Sequence, residues 1–378
     1  VPSVESIADA RQASLIGLSE KLATRGRRAW SQVDFAALDA SWAVVAPALA
    51  MSLNAAQVQA AAGSDRYVSR LSTEYDFDEE PTSLVPQAFA GVDGSGRGIE
   101  TGLYGAVTAT KEAVRAGLGA REAMLSGATY LATMLKTALA DQARSSDMVA
   151  SVGRGYVQYV RMVEPGACSR CMALAGSDRF SKQFQRHPAC RCTTRPVPLE
   201  EARERNYKGP NDLFEELSPA EQDRRFGKAG AQAIRDGADL GQVVNARRGM
   251  GRPKSYADYS RMTKTTIGRR PDGTPVRVYA TSEGTTSRGG FGRREENRVR
   301  LAGDRYTSAR RVRLMPESIL EIAGDDQALR QAFLRDAGYL EYKPNGGYDL
   351  AAIAEQRRQD RVLVNRATIR YGNFTLGN

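Results

Sequence analysis

Cys168-Ser-Arg-Cys171 and His187-Pro-Ala-Cys190-Arg-Cys192 hold all four cysteines and the one histidine of this 378-residue chain. Two close pairs of soft ligands separated by a loop are what a tetrahedral zinc ion needs, with thiolates and an imidazole presented from two turns. Five candidates compete for four positions: Cys168, Cys171 and Cys190 are the firmest, and His187 and Cys192 contend for the last. A closed four-ligand shell has no seat for an activated water, so the expected Zn2+ is structural. Paired disulfides would suit a secreted chain, but no charged-then-apolar signal segment opens this one. A CxxC redox pair belongs at a helix start after a strand and brings no HPxCRC partner. Val1 in place of Met predicts a trimmed product.

Working outward, the flanks of the cluster read as strands. Tyr156 to Val163 alternates aromatic and β-branched residues and leads into Cys168, and a second strand is expected from Cys190 to Val197. The metal would tie these strand ends together in a knuckle too small to hold itself by burial alone.

The sequence before the knuckle is helical in pattern. Val4, Ile7, Leu15, Leu18 and Leu22 share a face that Gly26 and its neighbouring arginines close. Asp34 can cap a second helix striped by Phe35, Leu38, Trp42, Val45 and Leu49. The uncharged run from Ala40 to Ser64 carries Pro47 and several polar residues, which predicts a bundled helix rather than a membrane span. Asp93-Gly-Ser-Gly-Arg-Gly98 reads as a flexible linker, since it lacks the lysine and strand of a phosphate loop. Helices near 101–117 and 119–142 follow, the second striped by Met124, Ala128, Leu131, Leu135 and Leu139.

After Pro198 helix returns. Ser218-Pro-Ala-Glu221 is a capping box with proline at the first helical position. Gly227 interrupts that helix, and Ala229 to Arg247 has the outline of a helix-turn-helix that any helical hairpin would share. Residues 248–312 are rich in Gly, Arg, Thr and Ser, with one strand expected at Val276 to Thr281, and should need a partner to become ordered. Helices are expected from Pro316 to Ile322, near 325–337 and near 349–362. The fold expected is mainly α with a small α+β zinc-knuckle module, divided as 1–98 helical, 99–200 ending in the knuckle, 201–247 helical hairpin, 248–315 basic extended arm and 316–378 helical.

The chain carries a net charge of +10, with 41% hydrophobic and 26% charged residues, ordinary values for a soluble protein. Residues 1–150 are net −4, whereas 247–315 are net +12, more than the whole excess. Such an arginine block is the footprint expected of a surface facing nucleic acid; a solvated loop or a contact with acidic protein gives the same charge. The candidate contacts are Arg247, Arg248, Arg252, Arg269, Arg270, Arg293, Arg294, Arg298, Arg300, Arg310, Arg311 and Arg313.

The string Glu164-Pro-Gly-Ala-Cys168-Ser-Arg-Cys171-Met-Ala-Leu-Ala-Gly176 with His187-Pro-Ala-Cys190-Arg-Cys192 resembles the end of the phage head morphogenesis domain. That domain defines the minor head family whose namesake is the phage Mu F protein. Phe226 to Asp239, Gln242 to Met250 and Arg313 to Ser318 look like minor head proteins of phages that infect actinobacteria. The resemblance implies a minor capsid protein of the virion, carried in few copies inside the head near the portal vertex after assembly in the host cytoplasm. Implied partners are the portal protein, the major capsid or scaffold protein, and packaged double-stranded DNA bound without sequence preference; no membrane partner is implied.

Enzymatic readings meet obstacles in the residues. Ser-His and Cys-His mechanisms need a histidine base, and the one histidine lies in the cysteine cluster. No HExxH helix occurs, and Asp93-Gly-Ser is the wrong order for an aspartic dyad. A Ser-Lys capsid maturation protease stays open, as does a DNA-binding regulator. A transferase built on Arg277, Ser282 and Glu295 or Glu296 would need a nucleotide-binding sheet.

Overall fold

The computed structural model describes residues 3–79, 82–164, 166–204, 207–246, 263–269, 275–281, 298–299, 308–309, 313–341 and 350–368. These residues are mainly helical, with small antiparallel sheets. The helices α1 (Val4–Trp30), α2 (Leu38–Glu74), α3 (Ile99–Arg115) and α4 (Ala120–Gly153) precede strand β1 (Gln158–Met162). A one-turn helix α5 (Ser169–Met172), strands β2 (Gly176–Arg179) and β3 (Thr193–Val197) and helix α6 (Leu199–Glu204) come next. Helices α7 (Pro210–Glu215), α8 (Pro219–Phe226), α9 (Lys228–Arg235) and α10 (Leu240–Ala246) lead to strands β4 (Thr263–Arg269), β5 (Pro275–Thr281), β6 (Arg298–Val299), β7 (Ser308–Ala309) and β8 (Arg313–Leu314). Helices α11 (Pro316–Ala323), α12 (Gln327–Asp336) and α13 (Leu350–Thr368) follow. Contacts divide the chain into one unit of Val1–Ala167 with Leu174–Gly209 and another of Cys168–Ala173 with Pro210–Asn378.

In the first unit, α1 to α4 form a bundle. Ser3 caps α1 by accepting from Ser6 N, and Arg27 and Arg28 in the last turn complement the helix dipole. Gly26 does not end the helix, which continues to Trp30. Asp34 caps a short 3-10 turn, Phe35–Ala37, that runs into α2. Pro47 lies inside α2 without stopping it. The helix bond it removes would end on Ala43, and both residues are exposed, so water can satisfy that carbonyl. This helix is long and apolar enough to cross a membrane by length and composition; in the structure it packs on α1, α3 and α4.

Leu22, Trp30, Trp42, Leu49, Leu53, Leu103, Val107, Leu131, Leu135 and Leu139 form one core, each large side chain contributing about 1.5–3 kcal/mol by leaving water. That core draws on residues either side of the expected division at 98, which therefore does not part it. Trp30 and Trp42 meet edge to face at 5.7 Å, and the Trp30 indole N–H donates to Met124 O at 3.0 Å. Gly127 lets α4 pack closely on α3, since a Cβ there would lie 2.9 Å from the backbone oxygen of Ala106.

Helix α4 runs well past its expected end near 142, and the polar residues Arg144, Ser146, Asp147 and Ser151 of its extension are buried. Asp147 accepts from Arg11 of α1 at 2.7 Å, while Arg11 also donates to Ala60 O at 2.9 Å and Ser64 Oγ at 3.0 Å. The expected linker at 93–98 is instead an ordered turn. The Asp93 carboxylate accepts from Ser95 N, Ser95 Oγ, Arg97 N and the Arg97 guanidinium. Gln57 and Gln142 hold the same turn by bonding Val92 O.

The sheet order is β2-β1-β3, all antiparallel, with Tyr159 opposite Asp178 and Pro196. The two expected strands are present, and β2 was not foreseen. Every residue of β3 is buried. Tyr67 of α2 donates to Thr194 O at 2.8 Å and Gln12 of α1 to Met162 O at 2.8 Å, so the bundle fixes both strands.

In the second unit Ser218 Oγ accepts from Glu221 N at 3.3 Å at the start of α8, the serine half of the expected capping box, while the Glu221 carboxylate accepts from Arg224 and Arg225. Gly227 then separates α8 from α9 with a φ of 70°, a conformation that favours glycine. The helical hairpin expected near 229–247 is α9 and α10, joined through Gly237. Strand β5 is found where expected, but it pairs with β4 on one side and β8 on the other. The arm expected to be extended thus contributes paired strands. The three C-terminal helices begin within two residues of their expected starts.

Candidate metal centre

A four-residue helical turn presents the first pair of cysteines. Cys168 is the N-cap of α5, with extended backbone, and its carbonyl accepts from Cys171 N at 3.0 Å and Met172 N at 3.1 Å. A spacing of three across one turn puts both thiols on the same side. Cys171 is buried and Cys168 exposed, and all four cysteines are thiols.

The second group rides on a loop gripped by α4. Cys190 N donates to His187 O at 3.2 Å, closing a turn in which Ala189 has a φ of 58°. A left-handed alanine is strained by about 1–3 kcal/mol, and its N–H is held by Thr137 Oγ1 at 2.7 Å. Arg144 donates to Cys190 O at 3.2 Å and Cys192 O at 3.0 Å, and to Asp141 Oδ1 at 2.5 Å. Asp141 also accepts from two of the Arg186 guanidinium nitrogens, Nε at 2.9 Å and Nη2. Cys190 and Cys192 are buried.

The ligand atoms of Cys168, Cys171 and His187 all lie within 4.8 Å of one another, as do those of Cys171, Cys190 and Cys192. Ligand sulfurs of one tetrahedral ion stand about 3.8 Å apart at Zn–S distances near 2.3 Å, so this spacing is compatible with a metal ion. Cys171 belongs to both groups, and the two overlapping triads keep all five residues as candidates. His187 Nδ1 lies 2.8 Å from Pro188 O. A carbonyl only accepts, so with Nδ1 protonated against it Nε2 would be the nitrogen able to ligate a metal.

Four thiols and one imidazole, with no carboxylate in either group among the described residues, make a soft donor set, which suits a thiophilic ion and not magnesium or calcium. Behind Cys192 lies a cavity of about 20 Å³ lined by Leu15, Ser19, Leu139 and Arg144, room for one water and no substrate. No family model, curated protein or solved structure matches this chain.

The expected nucleic-acid contacts fare differently. Arg313 is 3% exposed, donates to Gln242 Oε1 at 3.1 Å and sits 4.4 Å over the Tyr339 ring. It is a packing cation of the second unit, which removes it from a solvent-facing basic surface. Arg269 lies in β4 and Arg298 in β6. Arg247, Arg248, Arg252, Arg270, Arg293, Arg294, Arg300, Arg310 and Arg311 lie outside the described residues, as do Ser282, Glu295 and Glu296. Sequence reading missed Thr137, Asp141, Arg144 and Arg186. The signal available was the spacing of Thr137, Asp141 and Arg144 at i, i+4 and i+7, which puts three polar residues on one stripe of the helix.

Proposed function

We propose that this chain is a phage minor head protein, held at its knuckle by one structural zinc ion and working beside the portal and packaged DNA. The observation that carries the reading is the convergence of Cys168, Cys171, His187, Cys190 and Cys192, in the order CxxC…HPxCRC that resembles the head morphogenesis domain. When bound, zinc supplies bonds that join one short helical turn to a loop about twenty residues away. The chain's own residues do the rest: α5 presents two thiolates, and Thr137 and Arg144 fix the loop that carries the others. With its one imidazole in that cluster, the chain offers no histidine base for acyl transfer. The net +12 of residues 247–315 supports a sequence-blind contact with packed DNA.

Mass spectrometry of purified virions tests the role. The chain should be present in a few copies per particle and copurify with portal protein. Coexpressed major capsid protein should stay uncleaved. Processing of that protein, lost on mutation of one serine or lysine, would establish the protease reading instead.

A further inference from the structure

Thr137, Asp141 and Arg144 stand at i, i+4 and i+7 on α4, one stripe of a helix, and each grips a different part of residues 186–192. Thr137 accepts the Ala189 N–H at 2.7 Å, Asp141 holds the Arg186 guanidinium, and Arg144 donates to the carbonyls of Cys190 and Cys192. Arg144 is 6% exposed and Asp141 9% exposed, and Asp141 is shared by both arginines. Gly94 completes the arrangement, because a Cβ there would come within 2.3 Å of Asp141 Oδ2. A left-handed Ala189 would be a poor conformation for a loop left to itself. It persists because its N–H and both neighbouring cysteine carbonyls are bonded to a rigid helix.

Resting on the zinc reading above, we infer that α4 is a template that builds the His187–Cys192 half of the metal site before any ion arrives. Thr137 and Arg144 are its positioning residues, acting on the ligands through backbone bonds. The site then differs from a zinc finger, in which metal binding and folding are one event. Here the ion meets a half-site fixed by a folded bundle, and loosening the template lowers affinity for metal while the fold survives. Partners of this kind beyond the ligands themselves commonly govern affinity by 10- to 100-fold.

The test measures zinc affinity by competition against a chromogenic chelator, with thermal melting followed by circular dichroism. Arg144→Lys keeps a cation but replaces two nitrogens, Nη1 on the cysteine carbonyls and Nη2 on Asp141, by one, and Thr137→Val removes the hydroxyl that accepts from Ala189 N and donates to Thr133 O. Zinc affinity should fall about 10- to 100-fold in Arg144→Lys and less in Thr137→Val, with helicity retained in both. In chelator-stripped wild type, hydrogen exchange should leave the amides of 186–192 protected, and Thr137→Val should lose protection at Ala189. Unchanged affinity in both variants, or equal loss of protection across 168–173 and 186–192 on stripping, would overturn the template. Wild-type protein that binds no zinc at all would bring down the metal reading itself. Should Arg144→Lys fail to fold, Thr137→Val and the exchange pattern of stripped wild type decide the matter.

Discussion

The two halves of the cysteine cluster are built in opposite ways. Cys168 and Cys171 ride on a helix of four residues, far below the length at which a helix holds itself in water. The loop from His187 to Cys192 has no regular structure of its own, yet side chains of a 34-residue helix fix its backbone. Regular secondary structure alone therefore does not say how firmly either half is held. What matters is where the backbone bonds go and whether their partners are buried.

The largest expected effect comes from removing the platform that supports the braced half. Asp147→Ala leaves Arg11 buried without its carboxylate, which should cost about 3–5 kcal/mol. Urea unfolding followed by circular dichroism would read this, and a loss below 1 kcal/mol would mean the network is dispensable. Smaller, and aimed at the comparison itself, is Cys171→Ala. Because Cys171 belongs to both triads, it should abolish stoichiometric zinc while the bundle keeps its helicity. Retained equimolar zinc would show that the short-helix half is not needed.

Next comes Asp93, whose turn places Gly94 against Asp141. Burial pushes its carboxyl up, but the bonds from Ser95 and Arg97 outweigh this and bring it down to about 2. A depressed carboxylate stabilises the fold fully above its unfolded value of 3.8. That contribution, about 2 kcal/mol, is lost as pH falls through the folded value. Asp93→Asn should be less stable by that order at pH 7 and lose less than wild type between pH 4 and pH 2. Parallel pH profiles for the two proteins would contradict the assignment. The smallest effect is Ser218→Ala, a lost helix cap worth about 1 kcal/mol. It lies remote in sequence from the knuckle and should leave zinc affinity unchanged.

Much of this was legible in the sequence, for reasons that also explain what was not. Apolar periodicity located α1 to α4, alternation located β1, and Ser218-Pro-Ala-Glu221 located α8, because each signal is local. Strand β2 is Gly-Ser-Asp-Arg with no apolar residue, and β4 has only Ile267 among threonines, lysine, glycine and arginine. Their pairing with β1 and β5 comes from backbone bonds that composition does not display. The extension of α4 was hidden because Arg144, Ser146, Asp147 and Ser151 resemble a solvated face. They are buried because partners distant in sequence, Arg11 and Ser64 among them, meet them inside the bundle. The Asp93 turn looked like a linker because glycine signals flexibility, whereas the carboxylate that organises it acts on its own neighbours. Five ligand candidates could be named from spacing alone, but the buried residues that aim them could not.

Metal content is the most direct measurement of the central claim. Elemental analysis of reduced, freshly purified protein should find about one zinc per chain, lost together with the Cys171 thiol. Protein that is folded by circular dichroism, reduced at all four cysteines and free of metal even after incubation with zinc would contradict it.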